Sequence, residues 1–267
     1  MLLFHIFILA VIQGVTEFLP VSSSGHLVLL PQLTGLEDQG QALDVAVHVG
    51  TLIAVVAYFR ADVARALAGL RNLSQGVLDT PDAFLAMCLI IATVPVVVIG
   101  LILKLTGLDD AMRSITVIGW TMLLFGLLLY WADQRHPAER EMRQWTMKHA
   151  LQLGLWQAVA LIPGTSRSGI CITGARMLGY KREDAARIAM LMSIPTIIAA
   201  GTLSGLDVIA EANWSILRDG AIAAVLSCIA AFGALALMMR FLRSFSYTPY
   251  VVYRVILGII LLGIAYL

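Results

Sequence analysis

The chain has 267 residues, 60% of them hydrophobic and 13% charged, with a formal net charge of +1 and a mean hydropathy of +0.88. So apolar a composition excludes an ordinary water-soluble domain and points to an all-α polytopic membrane protein. The near-neutral charge says nothing about nucleic acid, and no basic run resembles a nucleic-acid patch. Three cysteines, Cys88, Cys171 and Cys228, lie in apolar segments without metal-ligand spacing and read as small buried hydrophobes.

The first twelve residues are apolar, but no Lys or Arg precedes them and no small-residue cleavage pattern follows, so they read as mature structure rather than a signal peptide. Next comes Gln13-Gly-Val-Thr-Glu17-Phe-Leu-Pro20-Val-Ser22-Ser23-Ser24-Gly25-His26, a polar stretch flanked by apolar arms. A charged group at membrane depth costs about 2–3 kcal/mol on insertion scales, so this stretch reads as half of an active site on broken helix.

A spanning helix needs roughly 20 apolar residues. Segments 42–59, 83–103, 115–131, 188–206, 221–239 and 250–267 meet or approach that length. Pro95 and Pro195 lie inside two of them, as kinks that neighbouring helices can accommodate. Regions 2–36 and 145–180 are instead apolar, then polar with Pro and Gly, then apolar, which predicts re-entrant helical hairpins.

The two hairpins resemble each other. Gln13-Gly-Val before Pro20-Val-Ser-Ser-Ser-Gly25 is matched by Gln157-Ala-Val before Pro163-Gly-Thr-Ser-Arg-Ser-Gly169. Each hairpin precedes three spans, and three is odd. The chain therefore reads as one membrane domain made of an inverted-topology repeat, with halves of about 1–135 and 140–267, each a re-entrant hairpin plus three transmembrane helices. Arg60, Arg65, Arg71, Arg135, Arg140, Arg143, Lys148, Lys181, Arg182, Arg187, Arg240 and Arg243 would then share one side, leaving Lys104, Arg113 and Arg218 with the acidic loops around Glu37-Asp38 and Asp207–Glu211 on the other. The positive-inside rule makes the first side cytoplasmic and both termini extracytoplasmic.

The second hairpin carries Arg167, read as the one basic residue deep in a membrane segment, among Gly164, Thr165, Ser166 and Ser168. Hydroxyls, exposed backbone N–H groups and a helix start form an anion site, and guanidinium binds phosphate with two prongs. The blander reading pairs Arg167 with Glu17 alone. In the first hairpin, Gln13 and Glu17 share a helix face, and Glu17 suits a cation ligand, a base or a group that orients a nucleophile. Ser22, Ser23 and Ser24 offer nucleophiles, phosphate ligands or caps, and His26 lies three residues beyond Ser23, within reach for proton transfer or as a structural group. Asp44 and His48 pair at i, i+4 at the outer start of the first span, where they could contribute to the site mouth, and capping and interfacial solvation account for them as well.

On the strength of Gln13-Gly-Val-Thr-Glu17, Phe-Leu-Pro-Val-Ser-Ser-Ser-Gly-His26 and Leu-Ile-Pro-Gly-Thr-Ser-Arg-Ser-Gly169, the chain resembles the bacterial undecaprenyl-diphosphate phosphatases, the family associated with bacitracin resistance. The resemblance implies an integral enzyme of the bacterial plasma (inner) membrane. It would hydrolyse undecaprenyl diphosphate to undecaprenyl phosphate and inorganic phosphate, recycling the carrier for peptidoglycan and other envelope polymers. It implies catalytic roles for Glu17, Ser23, His26 and Arg167, a divalent cation (Mg²⁺ or Ca²⁺) on Glu17, and a site opening to the outer face. Substrate-binding roles fall to Gln13, Ser22, Ser24, Gly164, Thr165, Ser166 and Ser168. Where members carry two glutamates this chain has Gln13 and Glu17, so a cation would be held by Glu17, diphosphate oxygens and waters. Whether Ser23 or water attacks phosphorus stays open. The rival reading is a transporter or flippase for a lipid phosphate or small anion, since inverted repeats with broken helices also build transporters. Glycines along the spans would permit a homodimer.

Overall fold

The computed structural model describes residues 3–27, 40–108, 112, 114–211 and 214–266, without the side chains of 204–211 and 215. The first hairpin's second arm beyond Leu27, the Glu37-Asp38 loop and Arg113 lie outside the described residues.

Helices α1 (Leu3–Phe18), α2 (Gln41–Tyr58), α3 (Arg60–Ser74), α4 (Pro81–Thr106), α5 (Ile115–Arg135), α6 (Met147–Val159), α7 (Arg167–Met177), α8 (Arg182–Glu211), α9 (Trp214–Phe241) and α10 (Thr248–Tyr266) follow in chain order. Their starts are written in local chemistry. Thr80 caps α4 by accepting from the Ala83 N–H at 3.1 Å, and Pro81 at the first position has no N–H to satisfy. Ser114 and Thr146 cap α5 and α6 in the same way.

Among the described residues, six helices are long and apolar enough to cross a membrane: α2, α4, α5, α10, and the segments Arg182–Leu203 of α8 and Ile216–Phe241 of α9. They coincide with the spans expected from hydropathy, including the internal prolines Pro95 and Pro195. α1 has 16 residues, or about 24 Å at about 1.5 Å each, and falls short of a core about 30 Å thick. α6 and α7, with 13 and 11 residues, are shorter still.

α3 is the helix that span-length reasoning passes over. Its Ala, Leu and Arg residues are good helix formers, with Asp62 in the first turn and Arg71 in the last as the helix dipole favours. It packs on α4, and its Asp62 takes two bonds from Arg187 of α8, at 2.8 and 2.6 Å.

The hairpin arms pack crosswise. α1 lies on α9, and α6 lies on α4, so each first arm is clasped by a middle span from the other half of the chain. α2 packs on α8 and α9, and α5 on α10. Gly50 makes the α2–α9 contact possible, because a Cβ there would stand 2.2 Å from the Ala224 carbonyl oxygen. Cys88 and Cys171 are buried free thiols within the main apolar cluster, with Cys228 packed beside it.

At the end of the bundle that carries most of the arginines, Asp133 of α5 is buried and accepts from Arg176 Nε at 3.0 Å, Arg182 Nε at 2.8 Å and the Tyr247 N–H at 3.3 Å. Arg176 in turn donates to the carbonyls of Asp133, His136, Pro137 and Tyr180. Removing one partner of a buried ion pair leaves the other charge uncompensated. Asp133→Ala should therefore destabilise the fold by about 3–5 kcal/mol, read as a lowered melting temperature in detergent. An unchanged melting temperature would show that Asp133 ties nothing together.

Candidate active site

Both hairpins turn by the same device. α1 ends at Phe18, Ser22 adopts φ 71°, and helix resumes at residue 23. α6 ends at Val159, Gly164 and Ser166 adopt φ 84° and 69°, and α7 begins at Arg167. Among the described residues, Ser22 and Ser166 are the only non-glycine residues with positive φ, a conformation costing roughly 1–3 kcal/mol. In each turn the strained serine is followed by a side chain that reaches Glu17.

Glu17 is the hub. Its Oε1 accepts from Arg167 Nη2 at 2.6 Å, and its Oε2 accepts from Ser23 Oγ at 3.0 Å and Gln13 Nε2 at 2.8 Å. The carboxylate side chain is only 8% exposed. The expected Arg167–Glu17 pairing is thus present, yet it uses one prong of the guanidinium. Among the described residues, Arg167 Nη1 is buried without a partner, a free donor on a side chain that lines the adjoining cavity.

Two of the other hydroxyls, Ser24 and Ser168, hold the two turns to each other, and the serines also pair within each turn. Ser22 Oγ and Ser24 Oγ are 3.1 Å apart, as are Ser166 Oγ and Ser168 Oγ. Ser24 Oγ accepts from the Gly164 N–H at 3.2 Å, and Ser168 Oγ donates to the Leu19 carbonyl at 3.0 Å. Ser166 caps α7 through the Gly169 N–H. Gly164 leaves room for α5: a Cβ there would stand 2.2 Å from Thr121 Oγ1, whose hydroxyl donates to the Pro163 carbonyl at 2.6 Å.

A cavity of about 730 Å³ opens beside Glu17. Ser22, Ser23, Ser24, Ser166 and Arg167 line it, whereas Gly164, Thr165 and Ser168 stand behind the lining. Val96, Leu161 and Ile197, with Gly201 and Lys104, line it as well.

His26 does not join the Ser23–Glu17 pair. Its Nδ1 donates to the Ser22 carbonyl at 2.7 Å, and its Nε2 pairs with the Tyr253 hydroxyl at 2.6 Å, with the two rings stacked at a 4° interplanar angle. The imidazole at the hub is His48 of α2. Its Nδ1 donates to the Asp44 carbonyl at 2.7 Å, while its Nε2 is 3.1 Å from Gln13 Nε2 and 3.8 Å from Glu17 Oε2. The i, i+4 pair Asp44/His48 is the sequence signal for it, and its place at the hub bears on the site-mouth reading rather than on capping alone.

Arg167 is also not alone in being deep. Arg254 of α10 is fully buried and donates to the carbonyls of Met122, Thr121, Gly164 and Thr165 at 2.9–3.4 Å, holding the second turn from behind. A charge inside an otherwise apolar span was its sequence signal. Gln157, the counterpart of Gln13, donates to the Ala92 carbonyl at 3.3 Å and lines the cavity.

Residues 6–260 match the family described as Bacitracin resistance protein BacA. The chain belongs to the BacA family. Relatives from Dinoroseobacter shibae, Ruegeria pomeroyi and a Jannaschia species are 68%, 66% and 65% identical over the full length of both chains, and each bears the name undecaprenyl-diphosphatase.

In this BacA-family chain the residues do not fit a cation held by protein alone. Among the described residues, no three His, Cys, Asp or Glu side chains converge. Both oxygens of Glu17 already accept from donors, and Gln13 turns its nitrogen rather than its oxygen toward them.

Proposed function

We propose that the chain hydrolyses undecaprenyl diphosphate to undecaprenyl phosphate and inorganic phosphate, in the bacterial plasma (inner) membrane. The observation that carries this reading is the shared carboxylate. Glu17 holds Ser23 and Arg167 on its two oxygens, and Arg167 keeps a buried guanidinium nitrogen free beside the cavity. The names of the full-length relatives support the substrate.

In the mechanism we propose, the terminal phosphoryl group lies against the free Nη1 of Arg167 and the N–H groups at the start of α7. Ser23 Oγ attacks its phosphorus while Glu17 Oε2 accepts the serine proton. The bond to the bridging oxygen breaks, and undecaprenyl phosphate leaves with that oxygen. Water then attacks the phosphoserine, inorganic phosphate leaves, and the proton on Glu17 returns to Ser23 Oγ. Arg167 offsets the charge developing on the phosphoryl oxygens.

The reading includes an inverted repeat in a single membrane domain, with both termini extracytoplasmic and the cavity opening to the outer face. Three observations support it: matching strained serines before matching helices, matching 3.1 Å serine pairs, and the crosswise packing of α1 on α9 and α6 on α4. The arginine-rich end, where α3 meets α8 and α5 meets α7, suits the cytoplasmic face.

Purified chain in detergent should release inorganic phosphate from undecaprenyl diphosphate, measured colorimetrically with Mg²⁺ or Ca²⁺ added. Binding without release under those conditions would favour a carrier.

A further inference from the structure

The Gln13–His48 pair decides what Glu17 can bind. A carboxylate oxygen only accepts hydrogen bonds, so the 2.8 Å contact to Glu17 Oε2 fixes the Gln13 amide with its NH₂ toward the hub. That NH₂ also faces His48 Nε2 at 3.1 Å, which must then accept. His48 Nδ1 faces the Asp44 carbonyl, another acceptor, and so carries the ring proton. The imidazole is thereby held as one neutral tautomer, and Gln13, which is fully buried, presents only donors to Glu17.

A hard cation at Glu17 would meet N–H donors where it needs oxygen ligands. It would also stand beside Arg167, whose charge Glu17 already offsets, at a site where that carboxylate is 8% exposed.

We propose that Gln13 and His48 form a neutral hydrogen-bonded pair that positions Glu17 for Ser23 and closes it to direct coordination, so that a divalent cation binds this chain only together with a diphosphate. The proposal rests on reading Glu17, Ser23 and Arg167 as the diphosphate site. His48 is a positioning residue in it, acting through Gln13.

The test is Mn²⁺ binding, followed by the loss of the free-ion paramagnetic resonance signal on titration with full-length chain in detergent. Wild type should take up no stoichiometric Mn²⁺ alone and one ion per chain once methylenediphosphonate is added. The double variant Gln13→Glu/His48→Gln supplies a second carboxylate and removes the imidazole. It should bind Mn²⁺ without diphosphonate at least about tenfold more tightly than wild type, since carboxylate count sets the affinity of such sites. Stoichiometric Mn²⁺ on wild type alone, lost in Glu17→Gln, would overturn the proposal. So would a folded double variant, judged by its melting temperature, with no gain in affinity. The wild-type arm stands even if the double variant does not accumulate. Phosphate release by wild type is measured alongside: its absence defeats the hydrolase reading and leaves the Mn²⁺ titration to decide the ligand question by itself.

Discussion

Arg167→Ala should lower phosphate release from undecaprenyl diphosphate by about 10³-fold or more, the scale on which phosphoryl-transfer enzymes lose rate when a charge-stabilising arginine is removed. The geometry makes the effect double. Arg167 Nη2 is the charged partner of Glu17 at 2.6 Å, and Nη1 is a buried donor without a partner among the described residues, on a side chain that lines the cavity. Loss of the side chain removes the anion ligand and leaves a nearly enclosed carboxylate without its cation. The second consequence should also cost stability, toward the lower end of about 3–5 kcal/mol because Arg167 retains 15% exposure. Arg167→Met combined with Glu17→Gln separates the two: the melting temperature should recover while turnover does not. Arg167→Lys should remain severely impaired, since an ammonium is a compact point charge that cannot serve Glu17 and phosphate with a planar fork. Near-normal release by Arg167→Ala in a folded protein would remove this residue from the site.

Ser23→Ala carries the second large effect. Ser23 is the hydroxyl placed to give its proton to Glu17, at 3.0 Å, and it lines the cavity. Its neighbours Ser22 and Ser24 pair with each other, and Ser24 is further engaged by Gly164 across the hairpins. Turnover in Ser23→Ala should fall by at least about 10³-fold with little change in diphosphate affinity, because deleting a nucleophile removes an interaction made only in the reaction path. Acid-quenched wild type should carry phosphate on the peptide containing Ser23, identified by mass spectrometry. Ser22→Ala and Ser24→Ala should act mainly on melting temperature. If Ser23→Ala turns over within about tenfold of wild type, water attacks phosphorus directly and Ser23 only positions it.

The two hairpins also show which kinds of information sequence carries. Span positions came from hydropathy because insertion into lipid depends on the local run of side chains. The six expected segments coincide with α2, α4, α5, α8, α9 and α10 to within a few residues, except that the caps and the polar ends lengthen several of them. The candidate hub was legible too: Gln13 and Glu17 one helical turn apart, the serine run, and Arg167 in the matching turn. The histidine nearest Glu17 was not legible in this way. His26 sits close to Ser23 in sequence, but its ring is held by Ser22 and by Tyr253, which is 227 residues away. His48 stands 35 residues from Gln13 and meets it through the packing of α1 and α2. Proximity along the chain is a poor guide here because ring orientation decides: both His26 nitrogens are taken up by the Ser22 carbonyl and the Tyr253 hydroxyl, away from Ser23 and Glu17.

By itself, then, the sequence determined the class of molecule, the long apolar helices, the paired turns and membership of the BacA family, all of which depend on local composition or on long matched motifs. Tertiary structure decided which polar groups face Glu17, which serines are engaged in joining the hairpins, that Arg254 braces the second turn, and that Gln13 shows its nitrogen to the carboxylate. The physical reason is directional. Hydropathy is summed over a segment, whereas a hydrogen bond depends on the orientation of single atoms, and that orientation exists only once helices from distant parts of the chain have packed together.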